Sequence, residues 1–181
     1  MGRVIIFPTD TVYGIGTKIF DVDGINRIYE IKKRPKDKPL ACLCASLEDI
    51  ESIAMVDDNA RKLIKAFLPG GLTLILESKD EVKEKIGYPT IGVRIPNSRI
   101  ALGILKNNGP MLTTSVNDSG EAPMNSYEEI VKKYGNIVDE IFDNDSPILE
   151  IPSTVVMVKN GNTIILREGV IKKEDIDAIV R

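Results

Sequence analysis

Five polar, turn-forming segments interrupt an otherwise apolar chain, and each carries side chains suited to an anion or an amino acid. Residues 32–40, Lys-Lys-Arg-Pro-Lys-Asp-Lys-Pro-Leu, place five cations within seven positions and stiffen them with two prolines. Such a run repels itself unless an anion lies near. A phosphate chain would supply one, with Arg34 forking onto its oxygens and Lys32 and Lys38 adding point charge; a solvated helix end with dipole-favoured cations is the plainer reading. Residues 90–96, Thr-Ile-Gly-Val-Arg-Ile-Pro, set Arg94 inside a strand on the face it shares with Thr90 and Gly92. A charge so placed needs a partner, either a structural carboxylate or that of a bound amino acid.

The other segments bring hydroxyls. Residues 8–16 hold Thr9, Asp10 and Thr11, then Gly14 and Gly16, which would let the backbone turn closely around a ligand or form an ordinary capped turn. Residues 113–121 crowd Thr113, Thr114, Ser115 and Asn117 at the end of a short strand. These groups suit a nucleotide's sugar, base edge or phosphate oxygens, or simply a hydroxyl-rich turn. Ser153 and Arg167 stand at the outer ends of a late hairpin, where antiparallel pairing could bring them together.

What is missing narrows the chemistry. The chain has no histidine, which excludes Ser-His-Asp and Cys-His devices and histidine-ligated zinc. Cys42 and Cys44, two apart in an apolar run, face the same way on a strand and read as small core side chains rather than a disulfide. No structural metal site is expected. Neither a Gly-x-x-x-x-Gly-Lys-Ser/Thr loop nor a Gly-x-Gly-x-x-Gly fingerprint is present, so a nucleotide would be held by scattered basic and hydroxyl side chains.

The elements that must position these groups follow from patterning. Apolar, β-branched runs predict strands at 4–7, 40–45, 72–77, 90–95, 111–115, 154–158 and 163–167. Helical spacing predicts helices over 23–32 and 58–67, the second ended by Pro69-Gly70-Gly71. Capping boxes at Ser46 and Ser126 start two more, and Asn97-Ser98 starts a short one closed by Asn108-Gly109-Pro110. Asn160-Gly161 predicts a tight hairpin. Strands and helices mix without strict alternation, which points to an α/β domain with a mixed sheet.

At 181 residues, 43% hydrophobic, the chain suits a single domain spanning 1–181. A net charge of −3 argues against a protein that coats nucleic acid. No apolar run approaches a membrane span, and the N-terminus is too short for a secretory signal, so the expected location is the cytoplasm, with no membrane partner.

Taken in order, PTDTVYGIG, KKRPKDKPL, TIGVRIP, SVNDSG, PSTVV and REG resemble the YrdC-type family of threonylcarbamoyl-AMP synthases over residues 5 to 170. The resemblance implies a twisted, open, mixed α/β sheet with flanking helices and a large concave groove. It implies a nucleotidyltransferase that condenses L-threonine, bicarbonate and ATP, with Mg²⁺, to threonylcarbamoyl-AMP and pyrophosphate. A separate transferase complex would then use the product to modify tRNA. The family's Lys-x-Arg and Ser-x-Asn signature falls on Lys32, Arg34, Ser115 and Asn117, as catalytic residues. By the same carry-over Arg34, Lys38, Thr90, Ser115 and Arg167 would contact ATP, and Thr11, Arg94, Thr113 and Ser153 would hold threonine. Mg²⁺ would be bound mainly by phosphates and water.

Three features depart from the family pattern. The first strand begins almost at Met1 without the usual preceding helix, Leu43 stands where many relatives place a histidine, and Pro123 where a serine often touches the nucleotide. The chain also ends soon after the REG segment, without the C-terminal domain of longer relatives. Two other readings are an RNA-binding module with Lys32 to Lys38 as a basic lip, touching tRNA or double-stranded RNA, and a carbamoyl-adenylate-forming domain. An aromatic content of 5%, with no tryptophan, leaves the RNA reading few bases to stack on.

Overall fold

A computed structural model describes residues 2–181. Its nine strands form one open, mixed sheet in the order β7-β1-β2-β6-β3-β5-β4-β8-β9. In chain order these are β1 (Ile5–Phe7), β2 (Gly14–Lys18), β3 (Ala41–Leu43), β4 (Leu72–Glu77), β5 (Thr90–Arg94), β6 (Met111–Ser115), β7 (Glu140–Ile141), β8 (Thr154–Lys159) and β9 (Asn162–Arg167). The helices are α1 (Val22–Lys32), α2 (Leu47–Ile53), α3 (Asp58–Phe67), α4 (Asp80–Ile86), α5 (Arg99–Asn108), α6 (Tyr127–Tyr134) and α7 (Lys173–Val180).

Strand alternation divides the sheet into two unlike faces. Reading across the pairing registers, Thr17, Leu112, Cys42, Val93, Leu74 and Val156 form a single row, every member fully buried. Apolar residues of six helices close over this face: Ile28 of α1, Ile50 of α2, Leu63 of α3, Val82 of α4, Ile130 of α6 and Ile176 of α7 share its core. The other face is covered only at one corner, where Ala101, Ile104 and Leu105 of α5 pack on Ile5, Phe7, Leu43 and Met111. The rest lies open, and the functional groups gather there.

The local chemistry of most elements matches the patterning. The side chains of Ser46, Ser98 and Ser126 each accept from the backbone N–H three residues on, capping α2, α5 and α6. Lys33, in the left-handed region at φ 52°, terminates α1. Asn160 and Gly161, with φ of 52° and 75°, make the β8–β9 turn, as type I′ geometry requires.

Strand β2 differs from the expected turn. Gly14 and Gly16 lie within it, paired to Ser115 and Thr113 of β6. A Cβ at Gly14 would come within 2.6 Å of Thr113 Cγ2, and one at Gly16 within 2.8 Å of Thr113 Oγ1. Glycine is therefore needed there for strand packing, and the turn proper is confined to residues 8–13. Strand β7 and helices α4 and α7 had no expectation in the patterning; α4 and α7 both start without a side-chain cap.

Candidate functional site

The open face holds a hollow of about 520 Å³, within the range of small-molecule sites. Its depth comes from side-chain size. Thr113, Ala41 and Gly92 stand side by side across three adjacent strands, and Thr113 and Ala41 border the hollow, so nothing bulky rises from the pleat there. The same row continues through Ile75, Met157 and Ile164 along β4, β8 and β9. Functional side chains surround the floor, drawn from the 8–13 turn, the segment after α1, the ends of β5 and β6, and the β8–β9 strands.

Arg94, only 5% exposed, crosses from β5 to that turn. Its Nε donates to the Gly70 carbonyl at 2.8 Å, one terminal nitrogen donates to Thr11 Oγ1 at 2.8 Å, and the other pairs with the Asp10 carboxylate. Burial pulls the guanidinium's pKa down and the Asp10 charge opposes that shift. Of the two partners left open by the sequence, the structural carboxylate is therefore present. Three of the five N–H groups are engaged, which leaves two for a ligand. Thr9 Oγ1 lies 3.2 Å from Thr11 Oγ1 and 2.6 Å from the Val12 carbonyl, to which it donates, so the turn is tied internally.

Beside Arg94 stand further hydroxyls. Thr73 Oγ1 and Ser153 Oγ are 2.8 Å apart, and both border the hollow with Thr113. Arg167 donates through Nε (3.2 Å) and a terminal nitrogen (2.8 Å) to the Ser153 carbonyl, so the pairing across β8 and β9 does bring these two together. Burial lowers the Arg167 pKa as well. Leu43 and Pro123 also line the hollow, so both departures from the family pattern fall inside it.

The basic segment closes the opposite side. Tyr29 Oη donates to the Lys38 carbonyl at 2.7 Å, and Arg34 donates to the carbonyls of Lys38 (3.1 Å) and Pro39 (3.0 Å). The guanidinium of Arg34 is thus steadied by its own loop while still bordering the hollow. Lys32 is different. It is 2% exposed and its ammonium donates to the carbonyls of Ser115 (2.5 Å) and Asn117 (2.9 Å) and to Asn117 Oδ1. Burial first, and then the neighbouring Arg34 charge, pull its pKa down to about 8.

Of the expected site residues, Arg34, Ser115, Asn117, Arg167, Thr11, Arg94, Thr113 and Ser153 all border this one hollow. Three do not. Lys32 lies beneath the 115–117 loop with its donors used, and Lys38 is exposed next to Pro39 at the rim. Thr90 shares Arg94's face but sits four residues earlier on β5, roughly 13 Å away, and borders a neighbouring hollow of about 720 Å³ with Ile75 and Met157. An ATP contact from Thr90 therefore does not fit the hollow that holds the other groups.

The patterning missed Asp10 as Arg94's partner, and missed Thr73. The second had a signal, a lone hydroxyl in the apolar strand Leu-Thr-Leu-Ile-Leu. Among the described residues no three His, Cys, Asp or Glu side chains gather as metal ligands would.

An open α/β sheet that surrounds a small-residue trough with guanidinium groups and hydroxyls is the architecture of a protein that binds small anionic ligands. The chain belongs to the Sua5/YciO/YrdC family, described as telomere recombination, whose model matches residues 1–169. The threonylcarbamoyl-AMP synthase of Pyrococcus abyssi is 33% identical over 183 residues, 99% of this chain and 54% of that one. The solved structure of P. abyssi Sua5 complexed with L-threonine superposes with a TM-score of 0.91, covering 98% of this chain and 54% of the other at 33% identity. The crystal structure of Escherichia coli YciO gives a TM-score of 0.85 at 32% identity, covering 94% and 85%. The chain thus spans about half the length of the P. abyssi relative.

Proposed function

We propose that this chain is a threonylcarbamoyl-AMP synthase, using the hollow for L-threonine, bicarbonate and ATP. The observation that carries the reading is the convergence of Arg34, Arg94, Ser115 and Arg167, distant in sequence, on one trough. Threonine would lie at the Arg94 end, its carboxylate on the guanidinium N–H groups that Asp10, Thr11 and Gly70 leave unused. Ser153, Thr73 and Thr113 supply polar partners around it.

The triphosphate would lie toward Arg34, Ser115 and Arg167. The threonine amine attacks the bicarbonate carbon to give a carbamate with loss of water. A carbamate oxygen then attacks the α-phosphorus, the bond to the β-phosphate oxygen breaks, and pyrophosphate leaves. A carbamate is already anionic, so positioning and stabilisation of the departing charge would carry most of the rate. Magnesium would accompany the triphosphate, screening its charge; without a carboxylate cage here, phosphate oxygens and water would be its main ligands. The product is a reactive mixed anhydride, which fits a tRNA-modifying transferase as the next user.

Purified protein given ATP, bicarbonate and L-threonine is expected to release pyrophosphate, and omission of threonine should stop the release. Equal release with and without threonine would overturn the substrate choice. A floor substitution tests the trough itself. A Cβ at Gly92 would meet Ala41 Cβ at 3.6 Å, an ordinary contact, and Thr73 Cγ2 at 3.3 Å, which asks that side chain to give by a few tenths of an ångström. Gly92→Ala should leave the thermal midpoint within a few degrees while lowering pyrophosphate release severalfold, because the added methyl stands between Ala41 and Thr73, which both border the hollow. Undiminished turnover would place the substrates elsewhere.

A further inference from the structure

We propose that Lys32 is a positioning residue, not a phosphate ligand: its ammonium clasps the 115–117 loop so that the hydroxyl of Ser115 is presented to the hollow. The proposal rests on the synthase reading for its kinetic consequences, though not for its structural one.

Lysine has three ammonium N–H groups and no acceptor. Here all three have protein acceptors: the carbonyls of Ser115 and Asn117, and Asn117 Oδ1. The side chain is buried and enters from the last turn of α1, behind the loop, so no donor remains to reach a ligand in the trough. The Ser115 hydroxyl donates to the same Asn117 Oδ1 at 3.0 Å, and Asn117 Nδ2 donates to the Glu121 carbonyl at 2.6 Å. The ammonium therefore fixes the amide orientation of Asn117, and the amide in turn sets the direction of the serine hydroxyl.

Two further ties knit the same pieces. The Ser119 N–H donates to the Lys32 carbonyl at 3.0 Å, and Asp118 lies between Lys33 (3.4 Å) and Lys133 of α6 (3.3 Å). The Arg34 segment and the Ser115 loop, the two sides of the phosphate end, are thereby held as one body. The charged groups acting on Lys32 are Arg34 from its own segment, Asp118 from the clasped loop and Lys133 from α6. With its pKa pulled to about 8, the clasp weakens as the pH rises through that value, since a neutral amine has only two N–H groups for three acceptors.

Three measurements test this. Hydrogen exchange of Lys32→Met should show the amides of residues 116–121 exchanging about tenfold faster or more, with sheet amides unchanged; protection equal to the unmodified protein would overturn the proposal whatever the reaction is. In pyrophosphate release, Lys32→Met and Asn117→Ala should each cost about tenfold or more, and the double variant no more than the worse single one. Multiplying effects would show that Lys32 acts separately, on the phosphates. Finally, kcat should fall above about pH 8, and Lys32→Arg should move that fall upward by more than one pH unit; an unmoved fall would overturn the proposal. If Lys32→Met fails to fold, exchange of the unmodified protein at rising pH replaces the first arm, and residues 116–121 must lose protection selectively. Absence of threonine-dependent pyrophosphate release in the unmodified protein would instead defeat the synthase reading and leave the exchange result standing.

Discussion

Arg94→Met is expected to lower the unfolding free energy by about 3–5 kcal/mol and to abolish threonine-dependent turnover, the largest loss of stability of any single change in this site. The cost has a definite origin. Arg94 and Asp10 have side-chain exposures of 6% and 15%, so Asp10 would be left with an uncompensated charge in a poorly hydrated turn. The Gly70 carbonyl and the Thr11 hydroxyl lose their donors in the same step. Urea unfolding at neutral pH measures the effect. Adding Asp10→Asn to Arg94→Met should recover part of the stability, since it removes the stranded charge, and should recover none of the activity. A loss below about 1 kcal/mol for Arg94→Met would mean that the pair is not the anchor of the turn.

Arg34→Ala should produce the opposite pattern. Its side chain makes two hydrogen bonds, both to carbonyls of its own exposed loop, so the melting midpoint should move only slightly. Pyrophosphate release should nevertheless fall about 10²-fold or more, because under the proposed function this guanidinium would face departing phosphate charge, where it acts mainly in the transition state. The loss should appear in kcat as well as in the KM for ATP, and Arg34→Lys should restore little, as a point charge does not reproduce a fork. Normal turnover in Arg34→Ala would remove this residue from the site. A large loss of stability would show it to be part of the scaffold instead.

Period-2 alternation made much of this legible from sequence. It placed Arg94 on one face with Gly92, while apolar, β-branched runs gave strands Leu72–Glu77 and Met111–Ser115 with their bounds intact. The capping serines are equally local signals. What failed was non-local. Asp10 finds Arg94 from 84 positions away, a distance no periodicity reaches. Lys32 stands in a run of cations that reads as solvated, and only the packing of α1 under the 115–117 loop buries it. Strand β2 looked like a turn because its glycines are usually turn residues; they serve here to admit Thr113. Thr90 falls outside this hollow for a related reason, since sharing a face with Arg94 says nothing of how far along the strand a hollow extends.

The trough also bears on how readily such a protein can change what it accepts. Its floor is kept low by the short side chain of Ala41, with Gly92 beside it between Ala41 and Thr73, while the guanidinium groups sit around the perimeter. A Cβ at Gly16 would collide with Thr113, but one at Gly92 would meet no backbone atom nearer than 3.7 Å. Single-codon drift at Gly92 can therefore reshape the space between Ala41 and Thr73 without moving any of the surrounding cations.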